Sequence, residues 1–328
     1  MEILYSSLII FVAIFVMIQA GKVIVRSLGV VARFLRISEY VIAFVLIAFA
    51  TSLPELSVGI NSAILGIPEL SFGDIVGTNI VNFCLILGIV SIIGRNIKLK
   101  DYTHFKKNRL FQMFAVLSPL ILMLDGTLSR GDGIVLIVLF ALNLIRLFDI
   151  DDKMLGRKIL RPHLVKYAHH SVTARKDFVT QILFLFIGAS FLLGSTLLLV
   201  KGVENISHIV GVSGALIGVL IIAISTSLPD LIVGLRSTLK QKGGVALGDI
   251  FGAATINSTL TLGIVAIIHP ITLENRTIVW TALLFTTIAL LFIFYFLKSK
   301  HSISRKEGYF LIALYILFVI TQLSIYLY

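Results

Sequence analysis

Residues 46–59 read LIAFATSLPELSVG, and residues 221–234 read IIAISTSLPDLIVG. In each, an apolar run is cut by Thr-Ser, a proline and an acid. Pro54 has no amide hydrogen and its ring clashes with the carbonyl four residues back, at Ala50, so a helix through this run must be interrupted. That turns carbonyls around Ala48 to Thr51 toward whatever lies beside the break, and Ala223 to Thr226, ahead of Pro229, do the same in the second copy. A second motif follows at the same offset of 175 residues: GDIVG at 73–77 returns as GDIFG at 248–252. Aligned without gaps, residues 44–90 and 219–265 agree at 20 of 47 positions, including Asn82/Asn257 and Gly88/Gly263. The chain is an internal duplication.

The composition says in which solvent the duplicated unit works. With 58% hydrophobic residues, 14% charged and a mean hydropathy of +1.03, there is too much apolar surface to hide in a water-soluble core. About 20 apolar residues cross a bilayer as a helix. Ten such runs follow one another, near 3–21, 38–65, 70–94, 109–125, 132–150, 178–200, 207–238, 245–268, 277–297 and 307–327. The fold class expected is therefore an all-α integral membrane protein with ten transmembrane helices. The first run lacks a basic flank and a small-x-small cleavage site and reads as a retained helix. Residues 1–150 and 178–328 each hold five spans, with a basic loop at 151–177 between them. An odd number of spans makes the second half enter the bilayer from the opposite side, so the repeats are inverted, and matched broken helices in inverted repeats point to a transport site near the midplane.

Charge supplies the orientation. Of the 28 Lys and Arg, all but Arg130, Lys201 and Arg276 fall in alternate loops. The positive-inside rule then makes those basic loops cytoplasmic and both termini external, in what is expected to be the cell (plasma) membrane. The net charge of +11 is scattered rather than gathered in one patch, which argues against nucleic acid as a partner. The single cysteine, Cys84, lies within a span and is read as a packing residue. His169-His170 and the basic stretch around them read as a solvated loop, with contact to anionic lipid as the second reading.

Glu55 and Asp230 are carboxylates placed in apolar spans, a costly choice that marks an ion path. Brought together they repel, and a divalent cation removes that repulsion directly. Calcium takes six to eight flexible oxygens, and the motif offers hydroxyls from Thr51, Ser52, Thr226 and Ser227, amides from Asn82 and Asn257, and carbonyls at the breaks. The single cysteine stands alone and the histidines lie outside the repeated motif, which disfavours zinc and copper. Asp74 and Asp249 read as supporting groups that cap the broken helices or hydrogen-bond the ligands.

The pattern A-x-x-T-S-L-P-[ED] followed by G-D-I-x-G-x-x-x-x-N, present twice, resembles the alpha repeats of the sodium/calcium exchanger family of cation/calcium antiporters. The resemblance implies a secondary active antiporter that exchanges sodium for calcium by alternating access, with calcium and sodium as cargo and no cofactor. It implies Glu55 and Asp230 as central ligands and backbone oxygens from Thr51 and Thr226. Ser52, Ser227 and the carbonyls of Ala48 and Ala223 would serve sodium sites, Asn82 and Asn257 would complete the middle site, and Thr78 would add a hydroxyl in the first half. The second repeat has Ala253-Ala254 where the first has Thr78-Asn79, and a calcium (or other divalent cation)/proton antiporter of the same superfamily stands as the alternative. Burial of the carboxylates makes protons their competitors at low pH. An intramembrane aspartyl protease using Asp74 and Asp249, or a channel, would each need only part of this duplicated pattern. The first and sixth spans are the expected moving pair.

Overall fold

The computed structural model describes residues 2–32, 47–94, 97–98, 102–155, 172–211, 213–273 and 276–327. The start of the second expected span (38–46), Arg33 and Arg36, and most of the basic loop, including His169-His170, lie outside the described residues.

The architecture is helical throughout, apart from two pairs of two-residue strands. In chain order the elements are α1 (Glu2–Ala32), α2 (Ala48–Thr51), α3 (Leu53–Ile64), α4 (Pro68–Ile80), α5 (Leu87–Ile93), β1 (Ile97–Lys98), α6 (Tyr102–Leu122), β2 (Thr127–Leu128), α7 (Arg130–Leu155) and α8 (Val172–Val210). Then come α9 (Gly214–Ile217), α10 (Ala223–Thr226), α11 (Leu228–Leu239), α12 (Gly243–Thr255), α13 (Leu262–Ile268), β3 (Ile271–Thr272), α14 (Thr277–Lys300), β4 (Ser302–Ile303) and α15 (Arg305–Leu327). Wide π-helical turns, Val81–Ile86, Gly218–Ile222 and Ile256–Thr261, join α4 to α5, α9 to α10 and α12 to α13. Among the described residues seven helices are long and apolar enough to cross a membrane. The other expected spans are helical where described, but α2–α3 is short and α6 and α7 carry charged or amide residues such as Arg109, Asn143 and Arg146.

The proline argument accounts for the breaks. Helix resumes at Leu53 and Leu228 with Pro54 and Pro229 in its first turn, and the interruption is one residue wide, at Ser52 (φ −83°, ψ −1°) and Ser227 (φ −78°, ψ −1°). Several span ends differ from expectation. α1 continues past 21 to Ala32, so Lys22 and Arg26 are exposed helical residues rather than loop residues; long basic side chains lay their stems along an apolar surface and keep the charge in water, so they need not end a helix. α8 runs to Val210, through Glu204 and Asn205, and stops only where Gly211 takes φ +72°. The seventh run therefore begins at Gly214, not at 207.

The duplication reaches well beyond the motifs. Ser129 and Asp132 form a capping box at the start of α7, with the Ser129 amide donating to Asp132 Oδ2 at 2.8 Å and the Asp132 amide to Ser129 Oγ at 3.2 Å. At the same offset, the Ser304 amide donates to Glu307 Oε2 at 2.6 Å at the start of α15. Helix crossings repeat too. A Cβ on Gly88 would sit 2.9 Å from Gly308 O and 2.6 Å from Ile312 Cγ1; one on Gly263 would sit 2.9 Å from Gly133 O and 2.8 Å from Ile137 Cγ1. These small residues let α5 reach α15 and α13 reach α7. The strands behave alike: β1 pairs with β4 (Ile97 opposite Ile303) and β2 with β3 (Leu128 opposite Ile271), each pair joining one half to the other.

The buried apolar side chains form two main groups. The larger lies between the halves around α4, α5, α12, α13 and α14, with Phe83, Phe251 and Phe318 among its largest members. The smaller unites α1 and α8 through Ala13, Met17, Ile24, Leu192 and Leu199, and touches the rest through Ala50, Val58, Leu70, Ile217 and Ile222. The outward faces of this pair carry Phe11, Phe15, Phe186 and Phe191, all exposed, as suits contact with lipid.

Candidate cation-binding site

The break in each half faces the long helix that follows in the other half: α4 packs on the π turn Gly218–Ile222 and on α10, and α12 packs on α2. Glycine makes the approach close. A Cβ on Gly77 would lie 2.6 Å from Val219 O and 2.6 Å from Ala223 Cβ. The approach puts the threonine of each break beside the aspartate of the opposite GDI motif. Thr226 Oγ1 donates to Asp74 Oδ1 at 3.0 Å, and Thr51 Oγ1 donates to Asp249 Oδ1 at 3.2 Å. The two bonds are related by the 175-residue offset. Thr78 adds a donor on one side only, 3.4 Å from Asp74 Oδ1 and 3.3 Å from Thr226 Oγ1; its counterpart is Ala253.

Glu55 and Asp230 sit in the first turns of α3 and α11, 0% and 1% exposed. Asn82 Nδ2, from the π turn after α4, donates to Asp230 Oδ2 at 2.7 Å. The matching pair behaves differently. Among the described residues, both oxygens of Glu55 and both amide atoms of Asn257 are buried without a hydrogen bond, and the nearby Thr226 hydroxyl is turned to Asp74. Asp230 Oδ1, Asp74 Oδ2, Asp249 Oδ2, Asn82 Oδ1 and Ser52 Oγ are open as well.

The carbonyls of Ala48 and Ala223 are not left bare. Ala48 O accepts from the Ser52 amide at 2.9 Å, with Thr51 Oγ1 3.1 Å away as an alternative donor to its bond with Asp249, and Ala223 O accepts from Ser227 Oγ at 2.6 Å, because short hydroxyl side chains fold back on the preceding turn.

Four buried carboxylates thus share the middle of the molecule, with Asp230 and Asp74 in electrostatic reach of Glu55, and Asp230 in reach of Asp249. No ion pair to Lys, Arg or His neutralises any of them among the described residues. A buried charge left uncompensated costs several kcal/mol, so these acids must be either protonated or accompanied by a cation. Among the described residues no three His, Cys, Asp or Glu side chains converge as a metal-holding group; the oxygens on offer are a mixed set of carboxylate, hydroxyl and amide, the kind hard cations accept.

Beside the Thr78 contacts, a further polar contact here escapes the repeat logic. Asn79 Nδ2 donates to Ser258 Oγ at 2.8 Å, both side chains buried. Their counterparts are Ala254 and Phe83, so comparing the repeats for shared residues passes over them. The signal was the opposite one: two neighbouring positions at which the copies differ together.

The sodium/calcium exchanger protein family profile matches the chain twice, over residues 5–148 and 180–324. The putative antiporter CaxA of Alkalimonas amylolytica is 28% identical over 321 residues, 95% of this chain and 97% of that protein. The sodium/calcium exchanger MaX1 of Methanosarcina acetivorans is 22% identical over 342 residues, again 95% and 97%. Among solved structures, the sodium-calcium exchanger NCX_Mj superposes with a TM-score of 0.67 at 24% identity, over 96% of this chain and 98% of that one, which shows the fold. With the profile falling once on each half and both breaks facing a shared acidic centre, the chain belongs to the sodium/calcium exchanger family of membrane antiporters.

Proposed function

We propose that the protein exchanges sodium for calcium across a membrane by alternating access. It does so as ten transmembrane helices in two inverted five-helix repeats, with both termini external and the basic loops cytoplasmic, in the cell membrane. The observation that carries this reading is Glu55, whose two oxygens are buried and unpartnered within reach of Asp230, itself open at Oδ1. One calcium ion, or a set of sodium ions, discharges this pair, and the two occupancies exclude each other. Glu55 and Asp230 are the shared ligands. Thr51, Thr226, Asn82 and Asn257 complete the calcium shell, while Ser52, Ser227, Thr78 and the Ala48 and Ala223 carbonyls serve sodium. Asp74 and Asp249 orient the threonines. The conserved neighbour pattern on exchanging the halves, and alternation of basic loops, support the inverted layout.

The pair α1 and α8, with its own apolar cluster, is suited to move against the rest. Asn61 of α3 ties this pair to its surroundings, donating to Thr196 Oγ1 at 3.0 Å and to Leu193 O at 3.4 Å.

The absent hydroxyl at Ala253 favours a second reading, a calcium/proton antiporter, because one sodium ligand is missing from that half. Calcium uptake into proteoliposomes separates the two. An outward sodium gradient should drive uptake, and Glu55→Gln and Asp230→Asn should each abolish it. Uptake that ignores sodium and collapses with the pH gradient establishes the proton reading instead.

A further inference from the structure

Most site residues obey the pseudo-symmetry; Thr78, whose counterpart is Ala253, does not. Positions 51/226, 52/227, 74/249 and 82/257 carry the same residue in both halves, and 55/230 carries an acid in both. Asn79 and Ser258 do not repeat, yet they meet at 2.8 Å across the two halves. The symmetric location is filled by Ala254 and Phe83, both 0% exposed, and Phe83 packs on Phe251 with ring centroids 5.3 Å apart. One side of the molecule therefore closes with an apolar small-large pair, the other with a hydrogen bond.

The bond lies where it controls ligand spacing. Asn79 follows Thr78 and stands one turn before Asn82, the amide that holds Asp230. Ser258 follows Asn257 inside the π turn Ile256–Thr261. The turn 77–82 is thus pinned on two sides, by Gly77 seated against Val219 and Ala223, and by Asn79 bonded to Ser258. A π turn has a wider bore and a slack hydrogen-bond ladder, a geometry that marks functional sites and leaves its side chains free to shift unless something fixes them. Asn257, with both amide atoms open, has no such fixing bond of its own.

We propose that Asn79 and Ser258 are positioning residues that set the gap between the Asn82 and Asn257 sides of the cation shell, and so the size of divalent ion it prefers. The inference rests on the exchanger reading above. Calcium bonds oxygens at about 2.3–2.6 Å, whereas the smaller magnesium ion demands about 2.0–2.1 Å. A shell whose walls are tied at one spacing discriminates between ions by size. Releasing the bond lets that spacing vary, and the discrimination against smaller cations falls.

The test is calcium binding to the purified full chain in detergent, with magnesium and manganese as competitors. Asn79→Ala and Ser258→Ala should each weaken calcium binding about three- to tenfold, the worth of one hydrogen bond, while the competitors lose less, so that the preference for calcium narrows. The double variant should be no worse than either single one, since both remove the same bond. The exchanged pair, Asn79→Ser with Ser258→Asn, should recover most of the preference, which a merely structural defect would not allow. An unchanged calcium preference in both single variants overturns the proposal, and so does a double variant whose losses add. Glu55→Gln in the same assay separates the two claims: if it still binds calcium as the wild type does, the exchanger reading fails, whereas loss there with normal preference in the Asn79 and Ser258 variants removes only the positioning role.

Discussion

Thr51 and Thr226 stand at equivalent places but hold their aspartates unequally. Among the described residues, Asp74 receives two hydroxyls, from Thr226 at 3.0 Å and Thr78 at 3.4 Å, whereas Asp249 receives only Thr51 at 3.2 Å. Replacing either threonine by valine keeps the shape and removes the donor. Leaving a buried charged group unsatisfied costs roughly 1–3 kcal/mol or more. Thr51→Val should therefore raise half-saturating calcium by roughly tenfold or more, and Thr226→Val by only a few-fold, as measured by isotope uptake in vesicles. Much of this residue scale was legible beforehand, because a duplicated chain advertises its polar positions by repeating them in apolar surroundings. A supporting role for Asp74 and Asp249 was legible too, but which threonine each would hold was not, since the bonds join residues about 150 and 200 positions apart and depend on how closely glycine lets two helices approach. Asn79 and Ser258 stayed hidden for a different reason: function there follows from a difference between the copies.

At the scale of elements, proline chemistry called for a break ahead of Pro54 and Pro229, but Ala48–Thr51 and Ala223–Thr226 stay helical and the interruption falls at Ser52 and Ser227. Helix ends were less readable, because hydropathy drops at Lys22 or Glu204 while backbone hydrogen bonding continues to Ala32 and Val210. The π turns left no mark in apolar periodicity at all. Helix crossings offer a direct check of the repeat geometry. Gly88→Ala and Gly263→Ala should be destabilising to a similar degree, about 1–3 kcal/mol each, because each new methyl would meet a backbone oxygen 2.9 Å away across an equivalent crossing. Gly194→Ala, with nothing within 4 Å of its added Cβ, should instead be neutral or gain up to about 1 kcal/mol. Thermal unfolding in detergent reads all three. A large difference between the first two would mean that the crossings are not equivalent.

For the whole molecule, the two main apolar groups divide labour. The larger sits between the halves and surrounds the acidic centre, and the smaller binds α1 to α8 and leans on the rest through a few side chains such as Ala50 and Leu70. Neither division was visible in hydropathy, which reports how apolar a helix is and not which neighbour covers it.

The strand pairs at Ile97–Lys98 with Ser302–Ile303, and Thr127–Leu128 with Ile271–Thr272, have a consequence for how the chain could be cut. Each stitches one copy to the other, and neither closes within a copy. Covalent continuity through the middle of the sequence is thus redundant with this mutual embrace. Two separately translated polypeptides, 1–160 and 171–328, should find one another in the membrane and co-purify through a tag on either. Reconstitution should then restore calcium flux that neither piece delivers alone.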